Sequence, residues 1–207
     1  MPTADPYRIG SADELQELIG QPNKLTPLKV FGELEATARA FIGRSPFLLL
    51  STSDTAGNQD VSPKGDPAGF VEIVDEKTLL IPDRPGNKLL YGLQNILANP
   101  RVGILFLVPG TGETLRVNGR AELTRDPQLL ERLAARGKPA QLAIRVFVDE
   151  CFFHCPKAFL RSELWQPDTW PERQRISFGK LLAKRLGESH EFAEGIDSAL
   201  EERRNEL

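Results

Sequence analysis

Apolar and polar positions along the chain change their period several times, and each change marks an element. Leu34, Ala38 and Phe41 recur at helical spacing, which predicts a helix over roughly 33–43 with one buried face. The run Phe47-Leu-Leu-Leu-Ser-Thr52 ends in the turn cluster Asp54-Thr-Ala-Gly57-Asn58, and a second strand over 59–62 completes a hairpin. Residues 69–74 and 78–81 flank Asp75-Glu-Lys77 as another strand–turn–strand unit. The wholly apolar 102–108 reads as a buried strand, closed by Pro109-Gly-Thr-Gly112. In the next strand Leu115, Val117, Ala121 and Leu123 face one way, and Thr114, Arg116, Asn118 and Arg120 the other. Asp126-Pro127 opens a helix that turns Leu129, Leu130 and Leu133 inward and stops at Gly137, and 142–153 form one more strand. Six or seven short strands without a βαβ rhythm predict an α+β fold, an antiparallel barrel with peripheral helices.

Three regions follow. Residues 1–32 read as an N-terminal helical arm, in which Ser11 and Glu14 form a capping box and Pro22 and Pro27 interrupt the connection. Residues 33–166 hold the barrel. Residues 167–207 are expected to be a helical tail packed on the barrel, with a charged helix over 191–205. The chain has 207 residues, 40% hydrophobic and 27% charged, which suits a packed core and excludes a disordered chain. A net charge of −3 argues against a general nucleic-acid binder. Met1 leads into Pro, Thr, Ala and Asp rather than a basic-then-apolar leader, and the two cysteines cannot staple a fold, so a cytoplasmic protein with no membrane attachment is expected.

Four groups carry candidate chemistry. Ile81-Pro-Asp-Arg84-Pro-Gly86-Asn87-Lys88 joins a strand to a helix expected to begin near Asn87, bearing Leu89, Leu90, Leu93, Ile96 and Leu97. Free N–H groups and two cations, Arg84 and Lys88, within a turn of a helix start suit a phosphate; solvated surface charges and a capping asparagine are the plain alternative. Ser62-Pro63-Lys64-Gly65-Asp66-Pro67 holds Ser62 and Lys64 at a sheet rim, or is an ordinary wide turn. The polar face Thr114, Arg116, Asn118, Arg120 either faces water or lines a groove for an anionic ligand. In the fourth group, Cys151, His154 and Cys155 invite a zinc reading, which an extended backbone opposes because it points His154 away from both thiols. Lys157 and Arg161 share a face if Pro156 starts a helix, with Trp165 just beyond. That His154 and His190 are the chain's two histidines argues against a histidine-centred nucleophile triad.

Taken together and in this order, the strings DVSPKGDPAGF, IPDRPGNK, NILANPRVGILFLVPGTGETLRVNGRAEL and CFFHCPKAFLRSELW resemble the pyridoxamine 5′-phosphate oxidase-like family of split β-barrel FMN-binding flavoproteins, over roughly 30–170. The resemblance implies a homodimer with FMN at the subunit interface. Arg84, Gly86, Asn87 and Lys88 would hold its phosphate, Ser62, Pro63 and Lys64 would lie along the ring, and Arg116 and Asn118 would complete the groove. Lys157, Arg161 and Trp165 would reach a flavin from the partner chain. The oxidase itself carries Ser-Arg-Lys where this chain has Gly86-Asn87-Lys88, and its C-terminal substrate segment has no counterpart here, so pyridoxamine phosphate does not carry over as substrate. An oxidoreductase acting on a small-molecule substrate or electron donor is the implied function, with no catalytic side chain named, since the flavin carries the chemistry. A non-catalytic flavin carrier or redox sensor is the alternative, and a nucleotide-binding barrel using Arg116, Asn118 and Arg120 a third.

Overall fold

The computed structural model describes Asp5 and residues 7–204; residues 1–4, on which the leader expectation rests, and Asn205, the expected end of the last helix, lie outside them. The chain divides into two compact units, one ending at Trp165 and one beginning at Gln166.

The first unit runs α1 (Ala12–Ile19), a 3-10 turn (Pro27–Lys29), α2 (Ala36–Arg44), β1 (Phe47–Ser53), β2 (Gln59–Gly65), β3 (Glu72–Asp75), β4 (Thr78–Asp83), α3 (Tyr91–Ala98), β5 (Arg101–Leu107), β6 (Thr114–Thr124), α4 (Pro127–Arg132), β7 (Leu142–His154) and α5 (Lys157–Ser162). The seven strands form one sheet in the order β2-β1-β5-β6-β7-β4-β3, antiparallel throughout. The predicted α+β split barrel with peripheral helices is the observed fold. Alternation explains it: Leu48 and Leu50, Ile104 and Phe106, Leu115 and Val117, and Ile144 and Val146 all bury their side chains in a single core. Leu34, Ala38 and Ile42 of the α2 segment plug the same core. A smaller cluster of Leu80, Leu133, Ala140 and Ala143 seats α4 on the other face of β4 and β7.

α4 ends at Arg132 rather than at Gly137, and β3 starts at Glu72 rather than at 69; three further boundaries differ from expectation, each for a local reason. β2 continues through Pro63 to Gly65 because it is an edge strand, where a missing N–H is tolerated. β4 continues through Pro82 to Asp83 because β3 has already ended; its pairing stops at Leu80. α3 starts at Tyr91 rather than Asn87. The Leu89 N–H donates to Asn87 Oδ1 at 3.0 Å, and Lys88 and Leu90 take left-handed φ values of 59° and 62°, so the backbone is committed to a turn before the helix begins. At α1 the cap forms as read: the Glu14 N–H donates to Ser11 Oγ at 3.1 Å, while the Glu14 carboxylate accepts from the Gly10 N–H rather than from Ser11 itself.

β7 carries a bulge at Asp149, since Asn118 pairs with Glu150 and Gly119 with Val148. The extra residue has an electrostatic purpose. Arg101 and Arg120 lie directly opposite each other on β5 and β6, a repulsive cross-strand pair, and the Asp149 carboxylate meets both at 2.7 and 3.7 Å.

The second unit is a helical hairpin, α6 (Phe178–Leu186) and α7 (His190–Arg204), where one charged helix was expected. Gly179 lets the helices touch: a Cβ there would lie 1.9 Å from the Ala193 carbonyl oxygen. Ser177 caps α6 and donates its hydroxyl to Asp197, which also accepts from the Gly179 N–H at 2.9 Å.

Two outcomes test this account. A Cβ on Gly119 would sit 2.1 Å from the Phe147 carbonyl oxygen, so Gly119→Ala should lower unfolding free energy by about 1–3 kcal/mol in urea titration. The Ser177 hydroxyl, before the Gly179 N–H, holds the Asp197 carboxyl below its ordinary value of 3.8. A depressed acid stabilises above the unfolded value and stops doing so as pH falls through the folded one. Helicity of the hairpin by circular dichroism should therefore hold down to about pH 4 and fall below it, and Asp197→Asn should flatten that dependence.

Candidate functional site

Two ion pairs join strands that do not pair through their backbones. β2 and β4 are separated in the sheet by β1, β5, β6 and β7. Nevertheless Lys64 Nζ meets Asp83 Oδ1 at 2.6 Å, and Arg84 Nε meets Asp66 Oδ2 at 2.7 Å. Arg84 Nη2 also donates to the Leu133 carbonyl at 2.9 Å. Lys64 and Ser62 share the core-facing side of β2, opposite Leu48 and Leu50 of β1. The pairs thus close one end of the barrel, and they compensate both cations with carboxylates.

The loop 85–90 springs from this closure. Gly86, Asn87 and Lys88 are exposed, and Lys88 has no ion-pair partner among the described residues. A Cβ on Gly86 would meet nothing closer than the Arg84 carbonyl at 4.0 Å, so space around that backbone is open. Asn87 spends its Oδ1 on the Leu89 N–H, which leaves its amide N–H groups outward. Leu89, Leu90 and Tyr91 are each at least half exposed, an apolar rim beside the polar turn. α3 then crosses β1 and β2: Asn95 Nδ2 donates to Thr52 Oγ1 at 3.1 Å, and Asn99 Nδ2 to Ser53 Oγ at 2.9 Å. Gly92 brings its start against Asp60 and Ser62, whose oxygens would lie 3.2 and 3.7 Å from a Cβ there. The structure therefore gathers Ser62, Lys64, Arg84, Gly86, Asn87 and Lys88 at one end of the barrel.

Pro63, Arg116 and Asn118 belong to the opposite, outer face. One register row across the strands is Pro63, Leu49, Leu105, Arg116 and Phe152, and the next is Val61, Ser51, Gly103, Asn118 and Glu150. Asn118 Nδ2 donates to Glu150 Oε1 at 2.8 Å, and Gly103 makes room for the Asn118 side chain, whose Oδ1 would lie 3.3 Å from a Cβ there. A cavity of about 410 Å³ opens there, lined among others by Ser51, Gln59, Arg101, Asn118, Asp149 and Glu150. Arg116 lies instead over the Phe152 ring, 5.2 Å from its centroid.

Lys157 and Arg161 stand exposed on α5, one turn apart. Trp165 is anchored within its own chain, its Nε1 donating to the Thr111 carbonyl at 2.8 Å and its ring stacked on Phe159 at 5.5 Å. Among the described residues no hydrogen bond or ion pair links these three groups. Cys151 faces the core and bonds the Glu33 carbonyl at 3.1 Å, and burial pushes its thiol up. His154 faces outward, and burial, then Arg116, then Lys29, lower its pKa.

Sequence reasoning missed Asp66 and Asp83, the partners of Lys64 and Arg84. The signal was present, since Lys64-x-Asp66 and Asp83-Arg84 are reciprocal, but only the curled sheet brings them together. It also missed Lys29 and Phe152, which meet through the arm.

No curated protein sequence matches the chain. Among solved structures it is similar to HupZ of Group A Streptococcus, at 17% identity over 57% of this chain and 92% of that one, with a TM-score of 0.47. General Stress Protein 26 from Bacillus anthracis is 17% identical over 56% of this chain and 88% of its own, with a TM-score of 0.42. An FMN-binding protein from Syntrophomonas wolfei is 11% identical over 58% and 90%, with a TM-score of 0.42. The sequence model of the family described as pyridoxamine 5′-phosphate oxidase matches residues 34–155, from the entry to α2 through the end of β7. That span is more than half of the chain and contains the whole barrel, and the chain belongs to the pyridoxamine 5′-phosphate oxidase family.

Proposed function

We propose that the protein is an FMN-dependent oxidoreductase that works as a homodimer on a small molecule. The observation that carries the reading is the turn 85–90: an open Gly86 backbone, exposed amide donors on Asn87 and a Lys88 with no ion-pair partner among the described residues, rooted on the Lys64–Asp83 and Arg84–Asp66 pairs. These groups fit a phosphate monoester. Arg84 and Lys64 are already neutralised by carboxylates, so Lys88 supplies the net positive charge, while Arg84 fixes the root of the turn and offers its remaining N–H groups. The exposed Leu89, Leu90 and Tyr91 beside it suit the apolar part of an amphipathic cofactor.

When bound, the flavin would supply hydride or electron transfer, and the chain would supply position and electrostatics. Ser62 and Lys64, which the resemblance sets along the ring, would instead flank the phosphate end from the strand side, since Lys64 is tied to Asp83 at the root of the turn. Pro63, Arg116 and Asn118 lie on the outer face, and Lys157, Arg161 and Trp165 on a third patch, so one chain does not gather them into a single pocket. The homodimer enters the reading through the family resemblance, and a second copy would have to supply whatever groups one chain leaves apart. The outer face has the composition for it, with Val61 and Phe47 exposed and Leu49 and Leu105 half-buried.

Purified protein should carry a flavin absorption band and elute as a dimer. Lys88→Ala should weaken FMN binding by about 1.5–3 kcal/mol, the worth of a charged hydrogen bond, while leaving unfolding free energy within about 0.5 kcal/mol. Arg84→Ala should lower both, because it breaks the Asp66 pair. A Cβ at Gly86 meets nothing closer than 4.0 Å, so loss of flavin in Gly86→Ala and Gly86→Val with unchanged unfolding free energy reports the ligand's approach; flavin content equal to wild type in Lys88→Ala and Gly86→Val together sinks the phosphate assignment. Anaerobic mixing with NADH or NADPH should bleach the band. Bound flavin that neither donor bleaches means a carrier rather than an oxidoreductase.

A further inference from the structure

Five cations stand on the strands of the sheet: Lys64, Arg101, Arg116, Arg120 and Arg145. Four of them meet carboxylates, on Asp83, Asp149 twice and Glu122. Arg116 does not. It lies over the Phe152 ring, 5.2 Å from the centroid, and Lys29 lies over the same ring at 5.9 Å. Lys29 is held there by the arm, because Phe31 pairs with Cys151 through backbone bonds of 2.9 and 2.8 Å. His154 packs against Phe152 with ring centroids 5.0 Å apart, and its Nε2 is buried with no hydrogen-bond partner. Two full positive charges and an unsatisfied imidazole nitrogen thus share one aromatic platform, in a chain whose net charge is −3. A ring quadrupole attracts cations but does not cancel their charge.

We propose that Lys29, Arg116 and His154 form a binding subsite for a small oxyanion, the carboxylate or phosphate group of a ligand on the outer face of the sheet. Arg116 presents a planar fork that matches either group, and Lys29 a point charge from the other element. An anion between them relieves their mutual repulsion and leaves the neighbouring imidazole beside negative rather than positive charge. None of its three residues belongs to the turn at 85–90, and its test reads small anions separately from FMN.

The chain's two histidines make the test direct. In ¹H–¹³C spectra of the purified full-length protein, His190→Gln assigns the two Cε1–H signals. Replacing chloride with inorganic phosphate, and separately with acetate, at constant ionic strength should move the His154 signal saturably and raise its apparent pKa by about one unit. His190 should not move. Lys29→Met and Arg116→Met should each weaken the response at least tenfold, and Arg116→Lys should retain it, which separates lost charge from lost fold. A response to phosphate alone or to acetate alone each supports the subsite and names its preferred anion. Equal movement of both histidines, a linear unsaturable drift, or a response intact in Arg116→Met overturns it. So does a His154 signal that answers to FMN but to neither small anion, which would give the cluster to the cofactor.

Discussion

The barrel of this chain is closed by charge where hydrogen-bonded strands would otherwise be needed. β2 pairs with β1 on one side only, and its other edge is spanned by Lys64–Asp83 and Arg84–Asp66. Partly buried pairs of this kind are costly to break, because the carboxylate left behind has lost its water as well as its partner. They also spare the backbone from pairing there, so the turn 85–90 emerges from a rigid root without being absorbed into the sheet. Rigidity below and open backbone above is the arrangement a binding loop requires. The same two pairs determine which cations remain available, and at that end of the barrel the remainder is Lys88.

Much of this fold was legible because it is written in alternation. Leu48 and Leu50, Leu115 and Val117, and Ile144 and Val146 announce their strands and the face that each one buries. The helix at Asp126-Pro127 was equally plain, since its cap and its three leucines agree. What could not be read was whatever depends on the curl of the sheet. Lys64 and Asp83 are nineteen residues apart, and nothing local couples them. The start of α3 was misread for a different reason. Leu89 and Leu90 continue the apolar pattern of the helix, but Asn87 captures the Leu89 N–H and the backbone turns left-handed at Lys88 and Leu90. Periodicity reports side chains and is blind to such a backbone detour. The tail hairpin differs from the single charged helix expected there, although Ser177 and Gly187 mark both ends of α6.

The candidate site was legible as a set of residues and not as a geometry. Arg116 and Arg120 looked equivalent in the sequence, two arginines flanking Asn118 on one polar face. The bulge at Asp149 separates them: it delivers a carboxylate to Arg120 and Arg101 and none to Arg116. A single inserted residue on β7 thus converts a uniform polar face into one neutralised half and one positive half. A net charge of −3 for the chain conceals both.

That division bears on how the outer face can be used. The neutralised half carries the cavity around Asn118 and Glu150, rich in hydrogen-bonding groups and poor in field. The positive half carries the aromatic platform and the orphaned imidazole. A ligand with a neutral, hydrogen-bonding end and an acidic end would find both ends matched across adjacent register rows, at the spacing of one strand pleat. A second copy of the chain covering this face would shield the field from water and strengthen it, since charge interactions grow as the local dielectric falls. On the proposed readings, dimerisation and anion binding at this surface would be coupled by the same physics.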